Sequence, residues 1–300
     1  MKVSNLTGDL EMRFGLCGAI KMNLEAGFDA IDISFHQLKG EIWTNGSDAL
    51  FAEMRDIVAS YGATFNQAHA PFPCCRFPDG KDDEKVAAYN RETPEQIKRS
   101  LEICGKLGIP YIVIHPIAVP NATESEQLAY NLEHFAPFLA CAKNNGVKIM
   151  LENMWGCHRD QKNRIVCNVC STGADLARYV DAFDDPDVVA LLDIGHSGLV
   201  GTTADQSVRE LGARLKGIHL HDNDFFHDTH TLPFLGNINY DALIGAMIDT
   251  GYAGDVTFEV GPAFYGRIPD TLIPDALRFQ YRIGAYFRDR VSAGIAAKKA

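Results

Sequence analysis

Short apolar runs alternate with longer amphipathic stretches along the whole 300-residue chain. Eight runs predict strands: Arg13–Leu16, the weakest, then Ala30–Ser34, Thr64–Ala68, Tyr111–Ile114, Lys148–Glu152, Val188–Asp193, Gly217–Leu220 and Asp255–Val260. Several are nearly continuous Val, Ile and Leu, the composition of parallel strands covered on both faces. The stretches between them carry helix punctuation. Ser47 is placed to cap a helix running to Gly62. Thr93-Pro94-Glu95-Gln96 offers an N-cap, an N1 proline and a capping-box glutamine for a helix that Gly108 ends. Thr123 with Glu126 opens another, kinked at Pro137 and stopped by Gly146, and Asn239 caps one that ends near Gly251. A last helix runs from Pro274 to Val291, with the tail AGIAAKKA expected to fray.

Strands and helices in strict alternation predict an α/β fold, a single (β/α)8 TIM barrel covering residues 1–300 as one domain. An open doubly wound sheet is the competing architecture, but no glycine-rich phosphate loop follows the first strands. At 46% hydrophobic and 22% charged residues the chain has material for a full core. Its net charge of −11 argues against a broad basic surface for nucleic acid. No stretch approaches the roughly 20 apolar residues that span a bilayer. The N-terminus MKVSNLTGDLEMRF lacks a continuous apolar signal region, so a cytoplasmic protein away from membranes is expected. The eight cysteines are accordingly expected as reduced thiols. Cys104 and Cys141 fall in helical apolar patterns as small core residues. Cys167 and Cys170 form one CxxC with Cys157 ten residues earlier; no second pair completes a four-ligand zinc site, so these read as loop thiols.

The chemistry sits at the strand ends. His69, His115, Glu152, Asp193, His196, His219, Asp228, His230 and Glu259 each lie at or just past the end of an apolar run, or in the loop that follows one. In a barrel, those ends converge on one mouth. Glu152, Asp193, His219 and Glu259 end four different strands, in IMLEN, LLDIGH, GIHLHD and TFEV. Three carboxylates and one imidazole make a hard, oxygen-rich site suited to Mn²⁺, Mg²⁺, Co²⁺ or Zn²⁺. One such residue alone is adequately explained by a salt bridge or a cap; four at apolar strand ends are not, because burying unpaired carboxylates is costly. His69, His115, His196, Asp228 and His230 form a second tier able to add a second and third ion. One ion is the expected number and three the upper bound.

The segments HAPF, VIHP, LEN, LDIGH, HLHDND, HDTH and FEV resemble the xylose isomerase-like barrel superfamily, over about Ile31 to Val260. That group holds sugar isomerases and epimerases, inosose-metabolising enzymes and the endonuclease IV family. For the epimerase branch, the resemblance implies one divalent metal on Glu152, Asp193, His219 and Glu259. The two glutamates act as base and acid on opposite faces of a ketose, and His196 hydrogen-bonds the substrate. For the endonuclease IV branch, it implies three zinc ions: one on His69, His115 and Glu152; one on Glu152, Asp193, His219 and Glu259; one on His196, Asp228 and His230. Clustered ions of that kind activate hydroxide and stabilise a phosphodiester transition state.

Sugar isomerisation or epimerisation through an enediolate ranks first, on a small sugar, sugar phosphate or keto-polyol. Zinc-dependent cleavage of abasic DNA ranks second, and a lyase or dehydratase acting on a keto-sugar or inosose third. Three features set nucleic acid below sugar as the partner. The segment after His115 is HPIAVPNATES rather than a glycine-serine loop, HQLKGEIWTNG holds little of a basic or aromatic wedge, and the chain is acidic. A homo-oligomer is compatible with all three. Trp155 is the candidate substrate contact among the mouth aromatics Trp43, Trp155, Phe225 and Phe226. Arg159 and Arg164 read as solvated loop residues, Lys216 as outward-pointing, and Asp32 as a strand-end acid with a structural or substrate role.

Overall fold

The structure is a computed structural model that describes residues 1–36, 38, 40–44, 47–78, 80–158 and 161–299. Ten strands are formed by the described residues: β1 (Val3–Leu6), β2 (Ala30–Ser34), β3 (Thr64–His69), β4 (Tyr111–Ile114), β5 (Lys148–Glu152), β6 (Trp155–His158), β7 (Gln161–Cys167), β8 (Val188–Asp193), β9 (Leu215–Leu220) and β10 (Asp255–Phe258). Eight of them close a parallel barrel in the order β1-β10-β9-β8-β5-β4-β3-β2. β6 and β7 pair separately as an antiparallel hairpin at the mouth.

Helices shield the outside of the barrel. Alternate strand residues meet them in one large core that includes Ile31, Ile33, Ile112, Ile149, Leu192 and Phe258. The opposite faces point inward. Two residues apart on a strand means the same face, so Val113, Met150 and Leu191 stand directly below His115, Glu152 and Asp193. Those three residues and Val189 form a separate apolar floor inside the barrel. The metal-type side chains therefore occupy the top layer of a filled barrel, at the carboxyl ends of its strands.

Several expectations are corrected. The first strand is Val3–Leu6, not Arg13–Leu16. Its inward Ser4 disguises it as polar, yet Ser4 Oγ is 2.7 Å from Thr257 Oγ1 and Asn5 donates to Asn23 Oδ1 at 2.8 Å, so both are buried and satisfied. Arg13–Leu16 instead straddles two helices, Gly8–Phe14 and Leu16–Ala26, broken at Gly15 with φ 74°. The capping signal at Thr93 lies inside a helix, Asp83–Leu107, because the preceding Lys-, Glu- and Ala-rich segment is itself helix-forming and Thr93 and Ile97 are buried. The tail is not frayed: the last helix spans Ile273–Lys299, and Ile295 packs against the core.

Other punctuation holds. Thr123 and Glu126 form a reciprocal capping box, and the Asn239 side chain accepts from Ala242 N. Ser47 occupies the N-cap position of Asp48–Ser60, but its hydroxyl donates to Thr44 O instead. Cys157 and Cys167 are exposed on the β6–β7 hairpin rather than in an irregular loop, while Cys170 is buried; all eight cysteines are free thiols. Lys216 is exposed, as expected. Arg159 lies outside the described residues. Among those described, no helix is long and apolar enough to cross a membrane.

Candidate metal centre

The nine candidate residues meet at the mouth. They assemble into three cups in which each residue offers one ligand atom and these atoms lie within 4.8 Å of one another: His69, His115 and Glu152; Glu152, Asp193, His219 and Glu259; and His196, Asp228 and His230; a fourth cluster of the same kind, Asp193, His221, His230 and Glu259, overlaps the second and third. Register explains part of this. Asp193 on β8 is the direct neighbour of His219 on β9, and Glu152 sits beside Leu191, two residues before Asp193.

The first cup is the most closed. His69 Nε2 and His115 Nε2 face each other at 3.1 Å, and they lie 3.5 and 3.0 Å from Glu152 Oε2. In the second, His219 Nδ1 is 2.9 Å from Glu259 Oε2 and 3.3 Å from Glu152 Oε1. In the third, Asp228 stands between His196 Nε2 at 3.4 Å and His230 Nε2 at 3.1 Å. Ligands of one tetrahedral zinc, at bonds of about 2.0 Å, stand roughly 3.3 Å apart. Glu152 Oε2 and Asp228 Oδ1 are buried and make no hydrogen bond of good geometry despite these short approaches. Lone pairs converging on a point, rather than donors meeting acceptors, is the arrangement a divalent cation fits.

Three of the imidazoles are held in the tautomer a metal needs. His69 Nδ1 meets Ala70 O at 2.9 Å, His196 Nδ1 meets Asn153 O at 2.7 Å, and His230 Nδ1 meets Glu259 O at 2.8 Å. Each backbone carbonyl takes the Nδ1 proton, which leaves Nε2 as a free donor pair. For His219 the roles reverse: Nδ1 faces the carboxylates, and Nε2 lies 3.0 Å from the amide of Gln67, which also bonds Asp32 Oδ2. The contact is made by the Gln67 side-chain nitrogen, which donates to Asp32 Oδ2 at 2.8 Å, so Gln67 holds the His219 ring from behind.

Charge inside the mouth is strongly coupled. Burial alone pushes the Glu152 carboxyl up; the imidazoles of His219 and His115 outweigh it and hold it well below the usual range. Burial is likewise overcome at Glu259 by His219 and His230, and at Asp228 by His196 and His230. His230 rises to about 10, burial being outweighed by Asp228 and Glu259, so a cation that takes its Nε2 must displace a proton. Asp32, further from the cups, is raised to about 6 by burial.

Four residues that sequence reasoning missed support the cups. His221 Nε2 lies 2.9 and 2.7 Å from the two oxygens of Asp193, whose Oδ1 also accepts from His196 N at 2.8 Å. Asn153 clasps the Asp193 main chain, donating to its oxygen at 2.9 Å and accepting from its nitrogen at 2.7 Å. Gln67 backs His219. Gly195 allows the turn between Asp193 and His196, since a Cβ there would fall 2.2 Å from His221 Cε1.

A fifth missed residue is Phe72. A cavity of about 180 Å³ opens beside the cups, lined by His69, Asp228, His230 and Glu259 together with Phe72 and Asp9. Phe72 stacks on His36 at 3.8 Å and on His115 at 4.6 Å, forming its aromatic wall. Among the described residues, none of the aromatics singled out from sequence lines this cavity. Trp155 donates its indole N–H to Asp228 Oδ2 at 3.0 Å, Trp43 packs on Phe35, and Phe225 and Phe226 line a separate cleft with Arg164.

The family model described as xylose isomerase-like TIM barrel matches residues 22–283. The chain belongs to this family. A fructoselysine 3-epimerase of Escherichia coli O157:H7 is 25% identical over 175 residues, 57% of this chain and 59% of that protein. The matched curated relatives are covered over 51 to 62% of their own length. Among solved structures, a D-psicose 3-epimerase determined with D-fructose superposes at TM-score 0.71 and 18% identity, covering 96% of this chain and 99% of that one. The IolI protein, crystallised with a zinc atom, superposes at TM-score 0.68 and 18% identity, covering 99% and 97%. These likenesses establish a shared fold.

Proposed function

We propose that this member of the xylose isomerase-like family is a divalent-metal-dependent epimerase or isomerase of a small ketose or keto-polyol, acting through an enediolate. The observation that carries the reading is the second cup: Glu152 and Glu259 flank His219 beside a sugar-sized cavity. Glu152, Asp193, His219 and Glu259 would hold the ion. A divalent ion there supplies Lewis acidity to a carbonyl and its neighbouring hydroxyl, lowering the cost of the enediolate.

The chain's own residues do the rest. One glutamate removes the carbon-bound proton and the other returns one on the opposite face, the acid–base division that carries about 10²- to 10⁴-fold of rate per group. His196 keeps Nε2 free for a substrate hydroxyl or a further ion, because its Nδ1 proton is committed to Asn153 O. Phe72 offers a flat face to sugar C–H groups. Among the described residues lining the cavity there is no lysine or arginine, and Asp9, Asp228 and Glu259 are acidic. That lining favours an unphosphorylated sugar over a sugar phosphate. The 3-epimerase activities of the fructoselysine relative and the psicose-epimerase neighbour support the same class.

The Glu259→Gln chain tests this. Incubated in D₂O with Mn²⁺ and a panel of ketoses, the natural chain is expected to wash deuterium into carbon-bound positions, and Glu259→Gln to lose that exchange by at least about 10²-fold. Unchanged exchange in the variant removes Glu259 from the chemistry. Zinc-dependent cleavage of phosphodiesters is a second reading, favoured by one observation: all nine residues sort into three cups with the ligand groupings of a trinuclear centre. Nicking of an abasic-site duplex by the zinc-loaded chain, with no ketose exchange, selects it.

A further inference from the structure

We infer that Asp222 is a positioning residue that builds the loop carrying Asp228 and His230, and so controls the third cup separately from the other two. The inference rests on the reading that the cups hold metal. Asp222 follows β9 and is fully buried. Its Oδ1 accepts from Asn223 N at 2.9 Å and Ile238 N at 3.2 Å, and its Oδ2 accepts from Phe234 N at 3.0 Å. Its main chain exchanges two 2.9 Å hydrogen bonds with Thr231. The carboxylate thus ties together residues 223, 234 and 238, and the main chain adds residue 231.

The loop it closes needs such a clamp. Phe225, His230 and Phe234 all adopt left-handed backbone, with φ of 68°, 44° and 75°, a conformation that side-chain-bearing residues hold only when their surroundings impose it. Gly236 passes so close that a Cβ there would lie 2.3 Å from Asp222 Oδ1 and from Asn223 O. The clamp fixes where the loop delivers its ligands. Asp228 meets His196 Nε2 and the Trp155 indole, and His230 O accepts from Gly261 N at 2.8 Å past the end of β10. Apart from its contact with the Tyr240 hydroxyl, the Asp222 carboxylate bonds loop main chain, at Asn223, Phe234 and Ile238, rather than His69, His115, Glu152 or His219.

Asp222→Ala and the milder Asp222→Asn, made in the full chain, test this with zinc alone. The readouts are zinc stoichiometry with chelator competition, and the emission of Trp155 in a Trp43→Phe background, Trp43 and Trp155 being the chain's two tryptophans. Expected is a loss of roughly 10- to 100-fold in affinity for one zinc, the range for an outer support of a ligand. The remaining zinc should be held as before, and Trp155 emission should move to the red as its indole exchanges Asp228 for water. Asp222→Asn should show the same pattern more weakly, and is the variant read if Asp222→Ala does not fold. Unchanged stoichiometry and emission overturn the proposal, as does an equal weakening of every zinc. If the unsubstituted chain holds no third zinc, the three-cup reading fails, and Trp155 emission alone then decides whether Asp222 places Asp228.

Discussion

At Asp193 one carboxylate receives the His196 N–H and the His221 imidazole, while Asn153 grips its main chain. A ligand fixed from so many sides is oriented before a cation arrives. His221→Ala is therefore expected to weaken Mn²⁺ or Zn²⁺ binding by roughly 10- to 100-fold, measured by chelator competition; unaltered affinity would show that Asp193 needs no such support. Seven of the nine candidate ligands were legible in the sequence because each stands where an apolar run turns polar, while Asp228 and His230 lie further on, in the loop HDTHTLP. Their supports were less so. His221 shares a strand face with His219 by the two-residue period, and Gln67 shares one with His69, so the signal existed. Nothing in the chain, however, says which distant carboxylate or imidazole each will meet. Asn153 and Phe72 carry no such periodic sign.

Among the elements, the short helix Gly8–Phe14 holds the clearest pH-sensitive feature outside the metal cups. Glu11 is raised to about 8 by burial, although Thr7 Oγ1 donates to it at 2.7 Å. A carboxyl raised in the folded state binds a proton that the unfolded chain releases, so stability falls as pH climbs from the ordinary glutamate range toward 8 and does not return above it. From that shift the loss is about 5 kcal/mol at most. Glu11→Gln is expected to erase the slope. Urea unfolding at pH 5 and pH 9 should show the natural chain losing stability relative to the variant, and parallel curves would refute the burial account. This region is also where sequence reading of the elements failed. A strand whose inward residue is Ser4 and whose Asn5 bonds a neighbouring helix lacks the apolar signature. The β6–β7 hairpin stands outside the barrel's alternation, so the strand–helix rhythm did not announce it either.

For the whole molecule, closure of the barrel turns residues separated by up to 190 positions, His69 to Glu259, into one site. Apolar floor below and candidate ligands above follow from a single two-residue period on β4, β5 and β8, which is why the fold and the mouth were readable together. The number of ions and the reaction were not, since both depend on loops, above all the one that brings Asp228 and His230 to the mouth. The central claim is that the mouth uses a divalent ion and two glutamates to move a proton on a ketose carbon. Its most direct test is proton NMR of unphosphorylated ketoses in D₂O with the chain stripped of metal and then reloaded with Mn²⁺ or Co²⁺. The account predicts deuterium at a carbon next to the carbonyl only in the reloaded sample. Absence of exchange across the panel, with zinc-dependent nicking of abasic DNA in its place, would contradict it.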